Sequence, residues 1–302
     1  MVAQPPMDGV LLIDKPAGIT SAEVVRRIKT RVRPARVGHL GTLDPFATGL
    51  LPILIGEATK LAPFLQDGEK EYEGVIRLGV ATDTLDPTGA ESETAAVPAL
   101  APEMLTEAAA RFTGRIVQQP PLFSAIKRDG VRFYRLARSG ADIEPPPPRE
   151  VEISRLVLDA PDAVSIHFVA ACSTGTYMRS LARDIGLALG TVAHLAQLRR
   201  LRSGTFTLGE ALPLDRALDE LAGEDPSRML IPMRRALATM PEAEADAAIV
   251  RRLRNGDSRA LDGLAPSGAA LFKVVSADAL VAVAEATSRV TARVVRVFGA
   301  GG

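Results

Sequence analysis

The alternation of apolar and polar positions along the chain predicts short strands and helices in mixed order. Near the start, the apolar run at residues 9–14 predicts a buried strand, and residues 15–18 predict a turn. A helix is predicted next, since Thr20 suits an N-cap and Glu23 suits the third position of a capping box. Pro34 is expected to end this helix.

The central part of the chain continues this mixture of strands, loops and helices. Residues 163–171 alternate apolar and polar side chains, which predicts a strand with one buried face. The other expected elements are a loop at 37–50, a strand at 72–80, an acidic loop at 81–98, helices at 101–113 and 177–189, and a proline spacer at 145–148. This pattern indicates a chain that mixes helices and strands.

From Pro241 onwards the pattern changes to short strands. A short helix at 248–256 precedes strand-like runs at 271–276, 279–284 and 290–298. About 60 residues are too few for a large core, so we expect a small β-rich unit docked on the main body. The expected organisation is a main domain at 1–238 and a small C-terminal domain at 239–302.

Composition places the chain among globular proteins. Of its 302 residues, 47% are hydrophobic and 24% are charged, which excludes a disordered or collagen-like chain. Cys172 is the sole cysteine, so a disulfide framework is excluded and a reducing compartment is favoured. We see no secretory leader, and no stretch reaches the roughly 20 apolar residues of a membrane helix. We therefore expect a cytoplasmic protein and, by default, a monomer.

The charges cancel overall but are unevenly distributed. The 36 basic residues balance the 36 acidic ones. Residues 26–36 hold six basic side chains and no acid, residues 172–202 hold five arginines and one acid, and residues 81–110 hold six acids without a Lys or Arg. Solvated helix faces explain a single run, but two basic segments on either side of an acidic one favour a site for a polyanion.

The most informative segment is a glycine-rich loop around Asp44, which reads GHLGTLDPFATGLLP over residues 38–52. Asp44 precedes a proline, which disfavours helical torsions. Gly41 and Gly49 permit another chain to approach the backbone closely. An isolated Asp-Pro pair is more often a solvated turn aspartate, but the glycines and His39 make this segment less generic.

This loop and five further blocks resemble the pseudouridine synthases, specifically the TruB branch that modifies uridine 55 in the TΨC arm of tRNA. The further blocks are Asp14–Ser21, Lys70–Tyr72, Gln119–Pro121 with Ser124–Lys127, Cys172–Arg179 and Leu198–Leu201. The resemblance implies an α/β (α+β) fold, the pseudouridine synthase fold, with a large mixed, mainly antiparallel sheet flanked by helices. The C-terminal unit resembles a short PUA-type RNA-binding domain.

The resemblance implies isomerisation of uridine, in which the bond from ribose C1′ to N1 is broken and remade to C5. No group is consumed, so neither a cofactor nor a metal is expected. Cleavage builds oxocarbenium character at the sugar, which a carboxylate stabilises or attacks, and Asp44 is the candidate. A buried lone carboxylate would take up a proton, so a cation must lie beside it, and the resemblance assigns Arg179.

The resemblance also assigns residues that receive the RNA. The target nucleotide must be flipped out, and Tyr72 is the expected stacking platform; a half-buried strand tyrosine is the alternative. Lys15 and Pro16 are expected to brace the catalytic loop, and His39 to fill the space of the displaced nucleotide. The remaining candidates for substrate binding are Gly41, Thr42, Tyr177, Leu198 and Arg199, of which Tyr177 and Leu198 are expected to line the uracil pocket.

The histidines give no indication of a metal site. His39, His167 and His194 lack ligand-like spacing, and His167, in mid-strand, is interpreted as structural. Residues 124–150 resemble the family's mobile insertion. Its basic residues are candidates to close over the RNA: Lys127, Arg128, Arg132 and Arg135.

Three alternatives stay open at this point. A non-catalytic tRNA-binding or tRNA-folding protein would use the same surface. An aspartyl-phosphate hydrolase would need magnesium and a second carboxylate where this chain has Phe46. A pseudouridine synthase for another RNA is the alternative that the sequence separates least well.

Overall fold

The computed structural model describes residues 7–32, 35–123, 145–288 and 291–299, together with the backbone of residues 127–128 and 131–132. The strands up to residue 213 are β1 (Gly9–Lys15), β2 (Val37–His39), β3 (Thr48–Ile55), β4 (Lys70–Leu78), β5 (Val80–Thr82), β6 (Glu91–Thr94), β7 (Gly114–Gln118), β8 (Lys127–Arg128), β9 (Val131–Arg132), β10 (Arg149–Asp162), β11 (Ser165–Cys172), β12 (Ala193–Ser203), β13 (Phe206–Thr207) and β14 (Leu212–Pro213). The later strands are β15 (Glu242–Glu244), β16 (Leu271–Ser276), β17 (Ala279–Ala286) and β18 (Ala292–Val297).

The α-helices lie between these strands. They are α1 (Ser21–Arg31), α2 (Ala62–Leu65), α3 (Pro102–Phe112), α4 (Met178–Ala188), α5 (Leu214–Glu220), α6 (Met233–Ala236) and α7 (Ala247–Arg254). Short 3₁₀ turns are present at Gly56–Leu61, Leu208–Glu210, Pro226–Met229 and Ser258–Leu261. Among the described helices, none is long and apolar enough to cross a bilayer.

One large sheet forms the frame of the main body. Its strand order is β14-β1-β3-β12-β4-β11-β10-β7, with β2 added to β3 and β13 added to β12. The β1–β14 and β3–β12 pairs are parallel, and the other pairs of this sheet are antiparallel. The mixed, mainly antiparallel sheet implied by the resemblance is confirmed.

Helices α1, α3 and α4 pack on one face of this sheet. Their apolar side chains, among them Ile28, Leu105 and Ile185, share one core with sheet residues such as Ile76 and Phe168. Full burial of an aliphatic side chain contributes about 1.5–3 kcal/mol, so this helix-covered face supplies a large part of the stability. The predicted inner face of α4 is confirmed, because Met178, Leu181, Ile185 and Leu189 are all buried.

The predicted start of α1 is confirmed, although its capping box is only half formed. The Thr20 side chain accepts a hydrogen bond from the Glu23 amide at 3.0 Å. The Glu23 carboxylate instead pairs with Arg26 and Arg27. The helix ends at Arg31, and the predicted stop at Pro34 lies outside the described residues.

Several strand boundaries differ from the sequence predictions. The expected loop at 37–50 contains β2 and the first residues of β3, and β2 pairs with the far end of β3, from Val37↔Ile55 to His39↔Ile53. The expected acidic loop at 81–98 contains a hairpin of β5 and β6. The strand expected at 72–80 runs two residues earlier, as β4. The predicted helix at 101–113 and strand at 163–171 are confirmed as α3 and β11.

Two long strands that the sequence analysis did not predict, β10 and β12, complete the large sheet. The β12 strand carries three arginines in eleven residues, so its composition is untypical of a buried strand. Its charged residues are tolerated because Arg199 and Arg202 face carboxylates while Arg200 donates to backbone carbonyls. Tertiary partners therefore outweigh local propensity here.

A second, four-stranded sheet follows in the order β15-β16-β17-β18. It has its own apolar core, which includes Phe272, Val274 and Ala282. A further cluster joins this unit to the main body, since Val283 and Phe298 pack with Leu50 and other residues of the large sheet. The expected small C-terminal β unit is therefore present.

Candidate active site

The Asp44 loop connects β2 to β3 at the edge of an open cleft. The loop turns tightly, since the Ala47 amide donates to the Asp44 carbonyl at 3.1 Å. Pro45 and Phe46, which follow Asp44, line the cleft together with Leu198 and Arg199 of β12. The cleft has a volume of about 940 Å³, which is enough for a nucleotide-sized group.

Arg179 in the first turn of α4 forms an ion pair with Asp44. The Arg179 Nε lies 2.9 Å from Asp44 Oδ2, in an ion pair that is not aligned as a hydrogen bond. The Arg179 Nη2 donates to Asp44 Oδ1 at 3.3 Å. The Arg179 side chain is 6% exposed and that of Asp44 is 35% exposed, so the cation is buried while the carboxylate opens onto solvent.

A second carboxylate, Asp86, holds the other side of the same guanidinium. Arg179 Nη1 lies 3.4 Å from Asp86 Oδ2 and donates to the Thr84 carbonyl at 2.9 Å. Arg179 Nη2 also donates to the Phe123 carbonyl at 2.9 Å. With four protein groups around it, the guanidinium is fixed in orientation, which a bidentate partner requires.

The sequence analysis missed Asp86, although a signal was present. The tetrapeptide Thr-Leu-Asp-Pro occurs twice, at residues 42–45 and 84–87, and both aspartates contact Arg179. Leu85 in the second copy has a positive φ of 60°, which is strained for a leucine. Its carbonyl accepts from the Leu195 amide of β12 at 3.0 Å, which holds the strained turn against the sheet.

The pKa of Asp44 results from opposing influences. Burial raises the pKa of Asp44 above its ordinary value, and the neighbouring Asp86 carboxylate raises it further. Arg179 and Lys15 act in the opposite direction and favour the charged form. A carboxylate with a raised pKa is a stronger base and nucleophile than a solvated one, provided that the cation keeps it ionised.

Lys15 supports the Asp44 loop through a hydrogen bond to its backbone. Its side chain is fully buried, and its Nζ donates to the Pro16 and Ile19 carbonyls at 2.8 Å each and to the Pro45 carbonyl at 3.3 Å. Burial lowers the pKa of Lys15 to about 8, and the Asp44 charge partly offsets this. The Gly18 amide also donates to the Pro45 carbonyl, so the residue after Asp44 is held by the whole 15–18 turn.

Arg199 and Leu198 lie where β12 runs beside the loop. Arg199 Nη2 donates to Asp14 Oδ2 at 2.7 Å, and Nη1 donates to Thr48 Oγ1 at 3.4 Å. Leu198 is buried, and its backbone carbonyl accepts from Thr48 Oγ1 at 3.4 Å. Both residues also line the cleft.

Arg200, the next residue, was not among the sequence candidates. It is 1% exposed, and it donates from Nε to the Leu50 carbonyl at 2.7 Å and from Nη2 to the Gly41 carbonyl at 3.0 Å. Gly41 has a φ of +75°, and a Cβ there would lie 3.1 Å from Arg200 Nη1. The only sequence signal was the arginine pair at 199–200, which does not reveal which of the two is buried.

Tyr72 lies on β4 next to these groups. Its side chain belongs to the main apolar core, which also includes Leu43 and Ala47 of the loop, and the residue is 8% exposed. Burial raises the pKa of the Tyr72 phenol, and the Arg200 guanidinium counteracts this. The Asp44 charge also acts on this phenol, so the nucleophile candidate and the stacking candidate share one neighbourhood.

Tyr177 is the N-cap residue of α4, two positions before Arg179. The guanidinium of Arg149 lies 4.6 Å from the centre of its ring, a cation–π distance. The Gln118 side chain accepts from the Tyr177 amide at 2.8 Å and donates to its carbonyl at 3.1 Å. These contacts fix the strand-to-helix turn that aims Arg179 at Asp44.

The other candidates are more peripheral. Thr42 is exposed on the loop, and His39 is half-buried at the end of β2. His167 was interpreted as structural, but its side chain is exposed and lines the cleft.

Within the described ranges, no group of three His, Cys, Asp or Glu residues could hold a metal ion. The basic side chains proposed at 127, 128, 132 and 135 lie outside the described residues.

Two family models and several curated proteins match this chain. Residues 27–178 match a model described as TruB family pseudouridylate synthase (N terminal domain), and residues 179–238 match the tRNA pseudouridylate synthase B C-terminal domain. A tRNA pseudouridine synthase B from Geobacter sulfurreducens is 48% identical over 72% of this chain and 70% of its own length. One from Chromohalobacter salexigens is 41% identical over 93% and 92%, respectively.

Solved structures agree with this assignment. A chain of a Cbf5-Nop10-Gar1 complex superposes with a TM-score of 0.74 at 28% identity, covering 97% of this chain and 85% of that one. A chain of an H/ACA RNP bound to a substrate RNA containing 2′-deoxyuridine gives 0.73 at 26%, covering 97% and 86%. The ion pair of Asp44 and Arg179 spans the two matched regions. The chain belongs to the TruB family of pseudouridylate synthases.

Proposed function

We propose that this chain isomerises uridine 55 in the T arm of tRNA, with Asp44 acting at the ribose. Conversion of uridine to pseudouridine in tRNA follows from membership of the family and from relatives named tRNA pseudouridine synthase B. The choice of the T-arm stem-loop is the finer part of the proposal. The observation that carries the proposal is the Asp44–Arg179 ion pair, since Pro45 and Phe46, which follow Asp44, line a cleft of nucleotide size.

The reaction needs an ionised carboxylate in a place from which water is largely excluded. When the C1′–N1 bond breaks, its electron pair leaves with the uracil, and Asp44 stabilises or attacks the electron-poor C1′. The retained uracil turns and forms a bond from C5 to C1′, which releases the carboxylate. C5 then loses its proton and N1 gains one, so no atom is consumed.

Arg179 is proposed to keep Asp44 ionised and correctly aimed. An arginine remains charged at any pH at which the protein is folded, and its planar fork suits a carboxylate. Asp86 supports the same guanidinium from the opposite side. This ion pair is pre-oriented before substrate binds, and such pre-organisation is a large term in catalysis.

The flipped uridine is proposed to contact Tyr72, Leu198 and Tyr177. Aromatic and apolar side chains receive extruded bases by stacking, and stacking on an aromatic ring contributes about 1–3 kcal/mol per base. Leu198 lines the cleft, and Tyr72 lies beneath the loop that carries Asp44. His39 is proposed to fill the space left in the RNA stack.

The Asp44 loop is proposed to be held in shape by residues at both of its ends. Lys15 donates to the Pro16 and Pro45 carbonyls on one side of the loop. Gly41 and Thr42 form the other arm, where the Gly41 carbonyl accepts from Arg200. These residues contact the backbone near Asp44 and not the reacting atoms, so we assign them to substrate binding and to support of the loop.

We further propose a catalytic domain at residues 1–238, with an RNA-binding insertion at 124–150, and a PUA-like RNA-binding domain at 239–302. The separate core of the second sheet supports this division. The enzyme is proposed to act in the cytoplasm as a monomer. Light scattering at micromolar protein concentration, with and without tRNA, tests the oligomeric state.

Asp44→Asn is the decisive variant for the proposed chemistry. We expect it to abolish pseudouridine formation in an unmodified tRNA transcript while tRNA affinity changes by less than about threefold, because the amide is nearly isosteric. Asp219→Asn, an exposed change on α5, is the matched control and should keep full activity. Product formation by the Asp44→Asn variant would overturn the assignment of the nucleophile.

The position of the product tests the substrate. Carbodiimide mapping of the reaction product should place pseudouridine at position 55, and a transcript with cytidine at that position should give none. Mapping of cellular RNA from a strain lacking this protein should show loss at the same position. Loss only in another RNA, with the T arm intact, would favour a synthase for that RNA.

A further inference from the structure

We propose that Arg200 is a positioning residue that fixes the Asp44 loop relative to the Tyr72 hydroxyl. This inference rests on the proposed function, because it assigns Tyr72 and Asp44 to one reaction. The residue touches neither the cleft nor the Asp44 carboxylate among the contacts described above. Its effect on the reaction is exerted through two neighbours.

The first neighbour is the loop. Arg200 Nη2 donates to the Gly41 carbonyl, three residues before Asp44, and Nε donates to the Leu50 carbonyl, six residues after it. One rigid guanidinium therefore fastens both arms of the loop. Because the two nitrogens belong to one plane, the separation of the two carbonyls is set by the side chain itself.

The second neighbour is Tyr72. In the large sheet, Arg200 lies directly opposite Gly49 of β3 on one side and Tyr72 of β4 on the other. Arg200 and Tyr72 are both buried, and directly opposed residues of an antiparallel pair have Cβ atoms about 5 Å apart. The guanidinium also lowers the pKa of the phenol, which is the effect of an adjacent cation.

The direction of this contact matters for the reaction. Arginine carries donors and no acceptor, so the phenol oxygen is the acceptor wherever it faces the guanidinium. The hydroxyl hydrogen then points away from Arg200. A lysine at this position has one nitrogen on a flexible stem and cannot hold two carbonyls and a phenol in the same plane.

The space around Arg200 is kept free by glycines. A Cβ on Gly49 would collide with the Arg200 backbone, and a Cβ on Gly41 would lie 3.1 Å from its Nη1. Within the part of the chain that the structure describes, Arg200 forms no ion pair with a carboxylate and is satisfied by carbonyls instead. A buried cation kept without a counter-charge stabilises the fold poorly, so its placement fits a positioning role.

A double-mutant cycle tests the proposal in the full chain with tRNA. We expect Arg200→Lys to lower kcat about 100-fold while KM for tRNA changes by less than about threefold, because a misplacement of about 1 Å has effects of this size. In a Tyr72→Phe background, the fold loss of kcat caused by Arg200→Lys should be at least tenfold smaller, since the effects of coupled residues are not additive. Arg216→Lys, an exposed change on α5, is the control and should leave kcat unchanged.

Equal losses in the two backgrounds would overturn the proposal, because a merely structural arginine has no coupling to the phenol. Melting temperatures identify variants that do not fold. If Arg200→Lys is unfolded, Gly41→Ala disturbs the same contact from the loop side, and its loss of kcat must then shrink in the Tyr72→Phe background. An active Asp44→Asn enzyme would overturn the role of Asp44 in the proposed function, whereas additive losses with an inactive Asp44→Asn enzyme overturn only the role of Arg200.

Discussion

The Ser21 hydroxyl forms two hydrogen bonds with the backbone of Leu43, one as acceptor and one as donor. It accepts from the Leu43 amide at 2.9 Å and donates to the Leu43 carbonyl at 3.1 Å. Ser21 is 1% exposed and is the first residue of α1, so the start of this helix is tied to the residue before Asp44. A single side chain thereby satisfies two backbone groups in a place without access to water.

Ser21→Ala should therefore reduce both stability and activity. Loss of the hydroxyl leaves a buried amide and a buried carbonyl without this partner, which costs about 1–3 kcal/mol in the free energy of unfolding. We expect kcat to fall at least tenfold, since the residue next to Asp44 is released. Urea denaturation and initial rates with saturating tRNA measure the two effects.

Thr20→Ala is the matched control for this effect. It removes the cap of the same helix, at a cost of about 1 kcal/mol, but leaves the Leu43 link in place. Its kcat should equal that of the parent enzyme. If both variants lose the same fraction of kcat, the link from Ser21 to Leu43 has no catalytic role.

The raised pKa of Asp44 predicts how activity depends on pH. Catalysis needs the ionised carboxylate, so kcat should fall as the pH drops through a value above the ordinary 3.8 of an aspartate. Single-turnover rates across the acid range measure this limb. An acid limb at or below 3.8 would show that Asp44 is not perturbed in the way the structure indicates.

The same shift predicts the pH dependence of stability. Between the unfolded and the folded pKa of Asp44 the native state binds more protons, so the free energy of unfolding contributed by this group falls as the pH rises through that window. Asp44→Asn should remove this contribution. Urea titrations of the two proteins at several pH values would reveal parallel curves if the prediction is wrong.

Two neighbours should move the acid limb in opposite directions. Asp86 raises the pKa of Asp44, so Asp86→Asn should shift the limb to lower pH; Lys15 lowers it, so Lys15→Met should shift the limb to higher pH. Asp86→Asn should also lower kcat about tenfold or more, because Arg179 loses one of its two carboxylates. Shifts of the same sign would contradict this electrostatic account.

The basic segment that starts in α1 predicts a salt-dependent contact with RNA. Arg31 is exposed in the last turn of α1, whereas Arg26 and Arg27 are paired with Glu23. If Arg31 touches a phosphate, Arg31→Gln should lower the slope of log affinity against log salt by about 0.7–0.9. Arg216→Gln, on the exposed face of α5, is the control and should leave the slope unchanged.

Fluorescence titration of labelled tRNA at several salt concentrations measures these slopes. An unchanged slope for Arg31→Gln would assign Arg31 to a solvated helix face. Arg33, the next basic residue of this segment, lies outside the described residues, so Arg31 is the sharper test.

Much of the candidate site was predictable, because the chemistry resides in short contiguous blocks. The loop around Asp44 and the turn before Arg179 are readable as motifs, since proline and glycine restrict the backbone locally. Asp86 and Arg200 were not predicted, although Asp86 contacts Arg179 and Arg200 contacts the Gly41 carbonyl. An acidic loop or a pair of arginines has the same composition whether its members face solvent or a buried partner.

Local patterns determined which segments become helices α1, α3 and α4 and strands β1 and β11, because apolar periodicity and caps act within a few residues. Only the tertiary structure decided which side chains meet. Arg179 contacts Asp44, which is 135 positions away in the chain, and Arg200 contacts Gly41, which is 159 positions away. Arg200 lies on β12, a strand that its composition did not predict. Contacts between residues so far apart depend on sheet order and register, which local sequence does not encode.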